Sequence, residues 1–222
     1  MIRHDPTLIK ATVRISPLGL EGTLGFPEGQ PSGLIIFAHG SGSSRLSPRN
    51  VYVADALRRA GLATLLFDLL SETEAADRAN VFNIDLLGDR LLAATAWAQA
   101  GETTRSLPIG YFGASTGAAA ALITAAKLGT AIGAVVSRGG RPDLAGDALP
   151  LVKAPTLLIV GGDDTEVLAL NQAALRALRC ERRIDVVPRA THLFEEPGAL
   201  EAVVDLAQGW FVRHLVTSAK VQ

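Results

Sequence analysis

The sequence contains little cysteine, few aromatic residues and no excess of positive charge. Its 222 residues include a single cysteine, Cys180, and carry a formal net charge of −1. One cysteine cannot form an internal disulfide, so the chain fits a reducing compartment, and Cys180, near the end of a helical pattern, has no predicted role. Without a basic excess, binding to nucleic acid or to an anionic membrane surface is not expected.

Long hydrophobic runs are lacking as well. No apolar stretch approaches the roughly 20 residues that a membrane-spanning helix needs, and residues 1–6 are polar, without the hydrophobic core of a signal peptide. These absences predict a soluble, cytoplasmic protein that acts on a small molecule and has neither a nucleic-acid nor a membrane partner.

Two kinds of site are also disfavoured by what is missing. The four histidines are scattered, without the spacing of metal ligands. The glycine-rich residues 39–44 do not continue into the lysine and hydroxyl residue of a phosphate-binding loop. We therefore expect no metal and no cofactor.

What the chain does contain is a regular alternation of short apolar runs and helical patterns. Such alternation predicts an α/β fold, a mostly parallel sheet with helices on both faces, in one domain over residues 1–222. Weak alternation in residues 8–26 predicts an antiparallel strand pair at an edge, and residues 71–80 are expected to be a loop. The other predicted strands are 34–38, 62–70, 109–112, 132–137, 156–160 and 184–187, and the predicted helices are 48–60, 84–98, 118–127, 167–179 and 198–215.

The most informative stretch is G-x-S-x-G at residues 113–117, between a predicted strand and a predicted helix. A serine at such a sharp turn is held in strained geometry with its hydroxyl exposed above the sheet, as in a nucleophile elbow. A turn of small residues that only allows the helix to pack closely against the strand would have the same five-residue pattern. The flanking strand and helix favour the elbow, with Ser115 as nucleophile.

The partners of a serine nucleophile must lie where strands of the sheet end, because ligands of parallel sheets bind at the carboxyl ends of strands. In elbow folds the acid and then the histidine follow the serine in the chain. That order excludes His4 and His39 as the base. His214 falls inside the last amphipathic helix, so His192 is the predicted base. Asp163 and Asp164 follow the preceding strand, and either carboxylate could orient the histidine.

An attacked carbonyl becomes an oxyanion, which needs hydrogen-bond donors already in place. In elbow architectures these donors are the N–H after the nucleophile and an N–H of the loop after an earlier strand. The predicted donors are therefore the backbone N–H groups of Thr116 and Ser41.

With His39-Gly-Ser41, the elbow, Gly161-Gly-Asp-Asp164 and His192 in this order, the sequence resembles the α/β-hydrolase superfamily, most closely its small dienelactone-hydrolase-like members. The resemblance implies a serine hydrolase that cleaves a carboxylic ester or lactone through an acyl-enzyme. It also favours Asp164, since such relatives place the acid at the end of G-x-x-D. Hydrolases of dienelactone itself use cysteine at the elbow, whereas this chain has serine.

The resemblance also bears on access to the site and on rival functions. Relatives often carry a lid after the strand that ends near Ser137, but here residues 139–154 are too few for a lid domain. An acyltransferase or amidase would use the same triad. A ligand-binding protein without catalysis is the remaining alternative, because a fold does not fix a function.

Five arginines are expected at the catalytic edge of the sheet. Guanidinium groups bind carboxylate or phosphate in bidentate fashion, so Arg138 and Arg45 are the candidate contacts for an anionic substrate. Acidic residues are predicted at the same edge, and pairing with them would leave the arginines without any ligand. The five are Arg45, Arg49, Arg138, Arg141 and Arg189.

Overall fold

The structure, a computed structural model, describes residues 9–216. Its centre is an eight-stranded sheet in the order β1-β2-β4-β3-β5-β6-β7-β8. The strands are β1 (Ile9–Ile15), β2 (Leu20–Phe26), β3 (Leu34–Ala38), β4 (Ala63–Phe67), β5 (Ile109–Ala114), β6 (Ile132–Arg138), β7 (Thr156–Gly161) and β8 (Arg182–Val187). The helices are α1 (Pro48–Arg59), α2 (Glu72–Ala75), α3 (Arg78–Val81), α4 (Ile84–Ala100), α5 (Thr116–Leu128), α6 (Thr165–Ala177) and α7 (Ala199–Leu215), with 3₁₀ segments at Gly129–Ala131 and Pro142–Leu151.

The sheet is antiparallel at one edge and parallel elsewhere. β1 pairs antiparallel with β2, and β2 pairs antiparallel with β4. From β4 through β3, β5, β6 and β7 to β8, all neighbouring strands are parallel. The predicted fold class and the antiparallel pair in residues 8–26 are therefore confirmed. The carboxyl ends of six parallel strands meet at one edge.

The central strands are buried because helices cover both faces of the sheet. All five residues of β3 and all six of β5 and β7 are buried, which explains why these segments are continuous apolar runs rather than alternating ones. One core cluster, which includes Leu91 and Leu122, packs α4 and α5 against the sheet. The other packs α1 and α7, with Leu57 and Phe211.

The prediction of a loop in residues 71–80 was wrong, because α2 and α3 form there. Polar side chains complete the ends of these short helices. Ser71 Oγ accepts from the Glu74 N–H, while the Glu74 carboxylate accepts from the Ser71 N–H at 2.9 Å. The Asp77 carboxylate accepts from the Ala79 N–H at 2.9 Å. A polar, acidic stretch can therefore be a series of capped helical turns.

Several boundaries also moved: strand β4 ends at Phe67 rather than at residue 70, and helix α6 ends at Ala177 rather than at residue 179. Helix α6 begins at Thr165, two residues before its predicted start at residue 167, and β8 begins at Arg182 rather than at residue 184. Between β6 and β7 the chain forms only short 3₁₀ turns, interrupted by a kink at Gly146 with φ 47°, so no large lid is present there. In the described range, 9–216, no helix is both long and apolar enough to cross a membrane.

Candidate active site

Ser115 lies between β5 and α5 in a backbone conformation that L residues rarely adopt, with φ 49° and ψ −123°. The glycines around it are required by close contacts. A Cβ atom on Gly113 would lie 2.5 Å from Ala118 Cα, and one on Gly117 would lie 2.2 Å from Ala38 O. Strand and helix therefore meet too closely for any side chain, and the strain falls on Ser115. This is the geometry of an elbow, whereas a simple closing turn would not need a strained serine.

His192 and Asp164 are joined by a short hydrogen bond. His192 Nδ1 lies 2.7 Å from Asp164 Oδ2, with the two side chains 39% and 15% exposed. When Nδ1 carries the proton and donates it to the carboxylate, Nε2 is left as an acceptor, which is the tautomer a general base needs. At this edge of the sheet, the His192 ring thus has a carboxylate at Nδ1 and a free Nε2.

Asp164 reaches His192 instead of capping its own helix. Asp164 is the N-cap residue of α6, yet its side chain forms no cap hydrogen bond. Asp163 is exposed, and its backbone N–H donates to Ala190 O at 3.0 Å. The geometry therefore pairs the histidine with Asp164, the residue favoured by the resemblance, and its catalytic role stays a prediction.

Ser115 and His192 both lie against the segment that follows β6. The Ser115 N–H donates to Arg138 O at 3.4 Å, and the Arg141 N–H donates to Ser115 O at 3.0 Å. On the other side of this segment, a Cβ on Gly139 would lie 3.6 Å from His192 Nδ1. Within residues 9–216 no hydrogen bond joins Ser115 Oγ to His192. In free enzymes such contacts often tighten only when substrate binds.

The two predicted oxyanion donors are neighbours in space. The Ser41 N–H donates to Thr116 Oγ1 at 3.1 Å, and a Cβ on Gly40 would lie 2.9 Å from Ser115 Cβ. The loop after β3 therefore lies directly over the elbow, as the prediction requires. The sequence analysis did not predict a role for the Thr116 hydroxyl, which accepts the hydrogen bond of the Ser41 N–H in this structure.

The sequence analysis excluded His39 as the base. In the structure its side chain instead supports the loops that border the site. Its Nε2 accepts from the Leu69 N–H at 3.0 Å, so its Nδ1–H donates to Gly40 O, also at 3.0 Å. Burial lowers the pKa of His39, which favours this neutral form. The histidine ties the loop after β3 to the loop after β4. The sequence analysis used His39 only as part of the motif His39-Gly-Ser41 and did not predict this role of its side chain.

The other two histidines do not join the site. The His214 ring packs against the Trp210 ring with the centroids 4.5 Å apart and the planes tilted by 57°, and its Nε2 lies 3.7 Å from a Glu181 carboxylate oxygen. Burial lowers its pKa. His4 lies outside the described residues.

The five arginines of the catalytic edge differ in their surroundings. Three are paired with carboxylates: Arg141 with Asp143 in bidentate fashion, Arg49 with Glu195, and Arg45 with Asp68 and Glu21. Arg189 is exposed to water. Arg138 is buried, and its Nη2 donates to Asn50 Oδ1 at 3.3 Å.

A cavity of about 600 Å³ adjoins the oxyanion loop. It lies between that loop, the end of β4 and the turn from β1 to β2. Ser115 is not among its lining residues, but Gly40, which lies against Ser115, is one of them. Arg45 also lines it, next to the carboxylates of Asp68 and Glu21, so its charge is already neutralised there. Its apolar lining residues include Leu18, Leu20, Leu69, Leu70, Val81 and Leu87.

The sheet order, the elbow at Ser115 and the residues at the strand ends define the α/β-hydrolase fold. The family profile of dienelactone hydrolases matches residues 20–208, and the chain belongs to this family. A crystal structure of a dienelactone hydrolase from Anabaena variabilis is 53% identical, with a TM-score of 0.89 over 96% of this chain and 100% of that one.

Two further comparisons add detail. An α/β serine hydrolase without a lid, from Xanthomonas campestris, shares the fold at 22% identity, with a TM-score of 0.77 over 97% of this chain and 98% of that one. Curated relatives from two strains of Mycobacterium tuberculosis are 57% identical over 213 residues, and both are provisionally named phosphoribosyl transferases. The match covers 95% of this chain and 48% of those proteins, so the chain spans about half their length.

Proposed function

We propose that the protein is a serine hydrolase that cleaves a carboxylic ester or lactone through an acyl-enzyme on Ser115. The observation that carries the proposal is the strained serine, at φ 49°, facing the edge where His192 Nδ1 lies 2.7 Å from Asp164 Oδ2. Strain at a polar residue is kept where function needs it, and a histidine oriented by a carboxylate is the usual means of activating a serine hydroxyl.

In this mechanism His192 Nε2 takes the Ser115 hydroxyl proton while Oγ attacks the ester carbonyl. Asp164 holds the ring in the required tautomer and stabilises the imidazolium. The N–H groups of Thr116 and Ser41 donate to the oxyanion, and the Thr116 hydroxyl must release the Ser41 N–H for this. His192 then protonates the leaving alcohol, and a water molecule deprotonated by the same ring releases the acid.

Acyl transfer to an acceptor other than water and cleavage of an amide would use the same groups, so both remain within this proposal as alternatives. They differ only in the acceptor or in the leaving group. A panel of p-nitrophenyl esters of graded acyl length, with lactones, thioesters and peptides beside it, separates them. Product analysis with and without added alcohols shows whether water is the acceptor.

The names of the mycobacterial relatives suggest a second activity, phosphoribosyl transfer. We infer that this name refers to the half of those proteins that lies outside the match, since the matched half belongs to a hydrolase family. Incubation with phosphoribosyl pyrophosphate and nucleobases tests this inference. We expect no release of pyrophosphate, and release by the purified chain would contradict it.

The proposal is tested by comparing ester turnover of the wild type with that of Ser115→Ala, in protein free of host esterases. Loss of a triad nucleophile costs about 10³-fold or more. The substitution should not unfold the protein, because the serine lies on a turn and contributes little packing. Activity within about tenfold of the wild type would contradict the mechanism. An inert wild-type protein would favour a ligand-binding role.

A further inference from the structure

Asn171 is a fully buried polar side chain on the helix whose N-cap residue is the predicted acid, Asp164. It lies on α6, is 0% exposed, and follows Asp164 by about two helical turns. Asparagine is a poor residue for a helix interior, and the Oδ1 of Asn171 is buried without a hydrogen-bond partner in the described part of the chain. Stability alone therefore does not account for an amide at this position.

The amide nitrogen of Asn171 makes two hydrogen bonds, and both acceptors are carbonyl oxygens. Nδ2 donates to Val167 O at 2.8 Å, inside α6, and to Gly140 O at 2.9 Å, in the segment that follows β6. These two bonds use both hydrogens of the amide and fix its orientation. The bond to Gly140 leaves the helix and connects α6 to the candidate site.

The peptide group that Asn171 holds is also bonded to the nucleophile. Its carbonyl oxygen is Gly140 O, and its N–H, which belongs to Arg141, donates to Ser115 O at 3.0 Å. This peptide group is tightly packed, because a Cβ on Gly140 would lie 2.6 Å from Ala118 Cβ. Asn171 is thus connected to the backbone of Ser115 through a single peptide group with little room to move.

Gly139, in the same segment, lies against the predicted base. Its N–H donates to Ile159 O at 2.8 Å, which attaches the segment to β7. A Cβ on Gly139 would lie 3.0 Å from His192 O and 3.6 Å from His192 Nδ1. The nucleophile and the base both contact this segment, so its position affects the distance between their reacting atoms.

Helix α6 is connected to both partners of the proton transfer. Asp164, its N-cap residue, lies 2.7 Å from His192 Nδ1, and Asn171 reaches the nucleophile through the Gly140 carbonyl. One helix thus acts on both the base and the nucleophile. Ser115 has a strained backbone, and such a conformation persists only when its surroundings hold it.

We propose that Asn171 is a positioning residue for ester cleavage: by holding the peptide group between Gly140 and Arg141, it keeps the Ser115 hydroxyl within reach of His192. This inference rests on the proposed function. Asn171 is fully buried and does not touch substrate, so its effect falls on kcat and not on KM. Misplacement of reacting groups by about 1 Å costs about 10²-fold in rate.

The kinetic test compares Asn171→Leu and Asn171→Thr with the wild type on a p-nitrophenyl ester. Leucine removes both hydrogen bonds at similar size, whereas a threonine hydroxyl can still donate to Val167 O and is too short to reach Gly140. We expect kcat to fall about ten- to hundredfold in both variants, with KM within about twofold of the wild type. Each protein is assayed at a temperature where its urea unfolding curve shows it to be folded.

The matched control is Thr124→Val. Thr124 is also 0% exposed on a helix, α5, and its hydroxyl donates to a carbonyl of that helix, Ala120 O at 2.8 Å, and to a glycine carbonyl of α4, Gly88 O at 3.0 Å. Its loss should lower stability in urea, as the substitutions of Asn171 do. It should leave kcat within about twofold of the wild type, because α4 carries no residue of the predicted triad.

The rate at which a fluorophosphonate labels Ser115 separates misplacement from unfolding. We expect Asn171→Thr to reach full labelling, one group per chain, with a rate constant about ten- to hundredfold below that of the wild type. Incomplete labelling, with the wild-type rate constant for the fraction that reacts, would overturn the inference, because loss of folded protein would then explain the lower activity.

The remaining outcomes separate this inference from the proposed function. Normal turnover by the wild type, with kcat of Asn171→Thr within about twofold of it, would overturn the inference and leave the hydrolase proposal intact. An equal fall of kcat in Thr124→Val would overturn it too, since the loss of any buried helix contact would then be responsible. A wild type that neither cleaves esters nor reacts with the probe would contradict the hydrolase proposal, and this inference with it.

Discussion

At Asp164, one carboxylate has two competing uses, capping helix α6 or holding His192. The structure assigns it to the histidine, at 2.7 Å, and leaves the helix without a side-chain cap. Giving up an N-cap hydrogen bond costs about 1 kcal/mol of stability. We regard this cost as a sign that the residue is selected for its contact with the imidazole.

The first prediction compares two neighbouring aspartates. Asp164→Asn should lower kcat by about 10⁴-fold, because an amide does not fix the required histidine tautomer. Asp163→Asn, at an exposed side chain, should leave kcat within about twofold of the wild type. Steady-state ester kinetics on both variants checks this. The reverse ranking would transfer the orienting role to Asp163.

A second prediction concerns the Thr116 hydroxyl, which accepts the Ser41 N–H at 3.1 Å in the free protein. Thr116→Val removes the hydroxyl, keeps the shape of the side chain and retains the backbone N–H. The hydroxyl positions the oxyanion loop but must release the Ser41 N–H during catalysis. If positioning outweighs the cost of this release, kcat/KM should fall at least about tenfold, short of the 10²- to 10³-fold that loss of a whole donor costs. Thr116→Ser should restore activity.

The readout that separates this role from simple packing is the affinity of a trifluoromethyl ketone, which forms an oxyanion on the serine. We expect Thr116→Val to weaken the inhibitor and kcat/KM in parallel, with KM for the ester little changed. A valine variant that binds the ketone as tightly as the wild type would contradict a role in the oxyanion site.

At the scale of elements, His39 connects two loops that end neighbouring strands. Its ring bridges Gly40 O after β3 and the Leu69 N–H after β4, so the oxyanion loop is attached to the sheet by a neutral imidazole. Protonation would place a second N–H against the Leu69 N–H and break the bridge.

This bridge gives a pH-dependence of stability. A histidine whose pKa is lowered in the folded state binds its proton more readily in the unfolded chain, so its contribution is full above the ordinary pKa of about 6.5 and is lost as pH falls below it. We expect the wild type to lose more stability than His39→Gln between about pH 7.5 and pH 5, in urea unfolding curves. Glutamine can accept from Leu69 without titrating. Equal losses in the two proteins would contradict this role.

The sequence predicted the topology of the fold best. In a parallel sheet, the order of strands and helices along the chain already tells which loops lie at the carboxyl ends of the strands. The continuous apolar run at Leu34–Ala38 and the glycines around Ser115 leave few alternatives for a buried parallel strand or a close strand–helix turn. Helices α2 and α3 were missed, since their caps involve polar residues that resemble a loop. Long helices and strands are predicted from the periodicity of their apolar residues. Helices of four residues, such as α2 and α3, are too short to show a periodicity.

At the scale of the whole molecule, charge pairing was the least predictable property. The sequence favoured Arg138 and Arg45 among the five arginines but could not show their partners, because those of Arg45 and Arg49 include carboxylates from distant segments: Glu21 for Arg45 and Glu195 for Arg49. Which guanidinium stays without a carboxylate depends on how loops from separate elements meet. Arg138 stands apart only once the sheet and α1 are packed together.

The account as a whole depends on a covalent intermediate at Ser115. Its most direct test is mass spectrometry of the intact protein, quenched in acid during turnover of a p-nitrophenyl ester, followed by peptide mapping. We expect a mass increase of one acyl group, located on the peptide that contains Ser115 and absent from Ser115→Ala, and stoichiometric labelling of the same residue by a fluorophosphonate. Turnover without any adduct at Ser115, together with an unlabelled serine, would contradict the central claim.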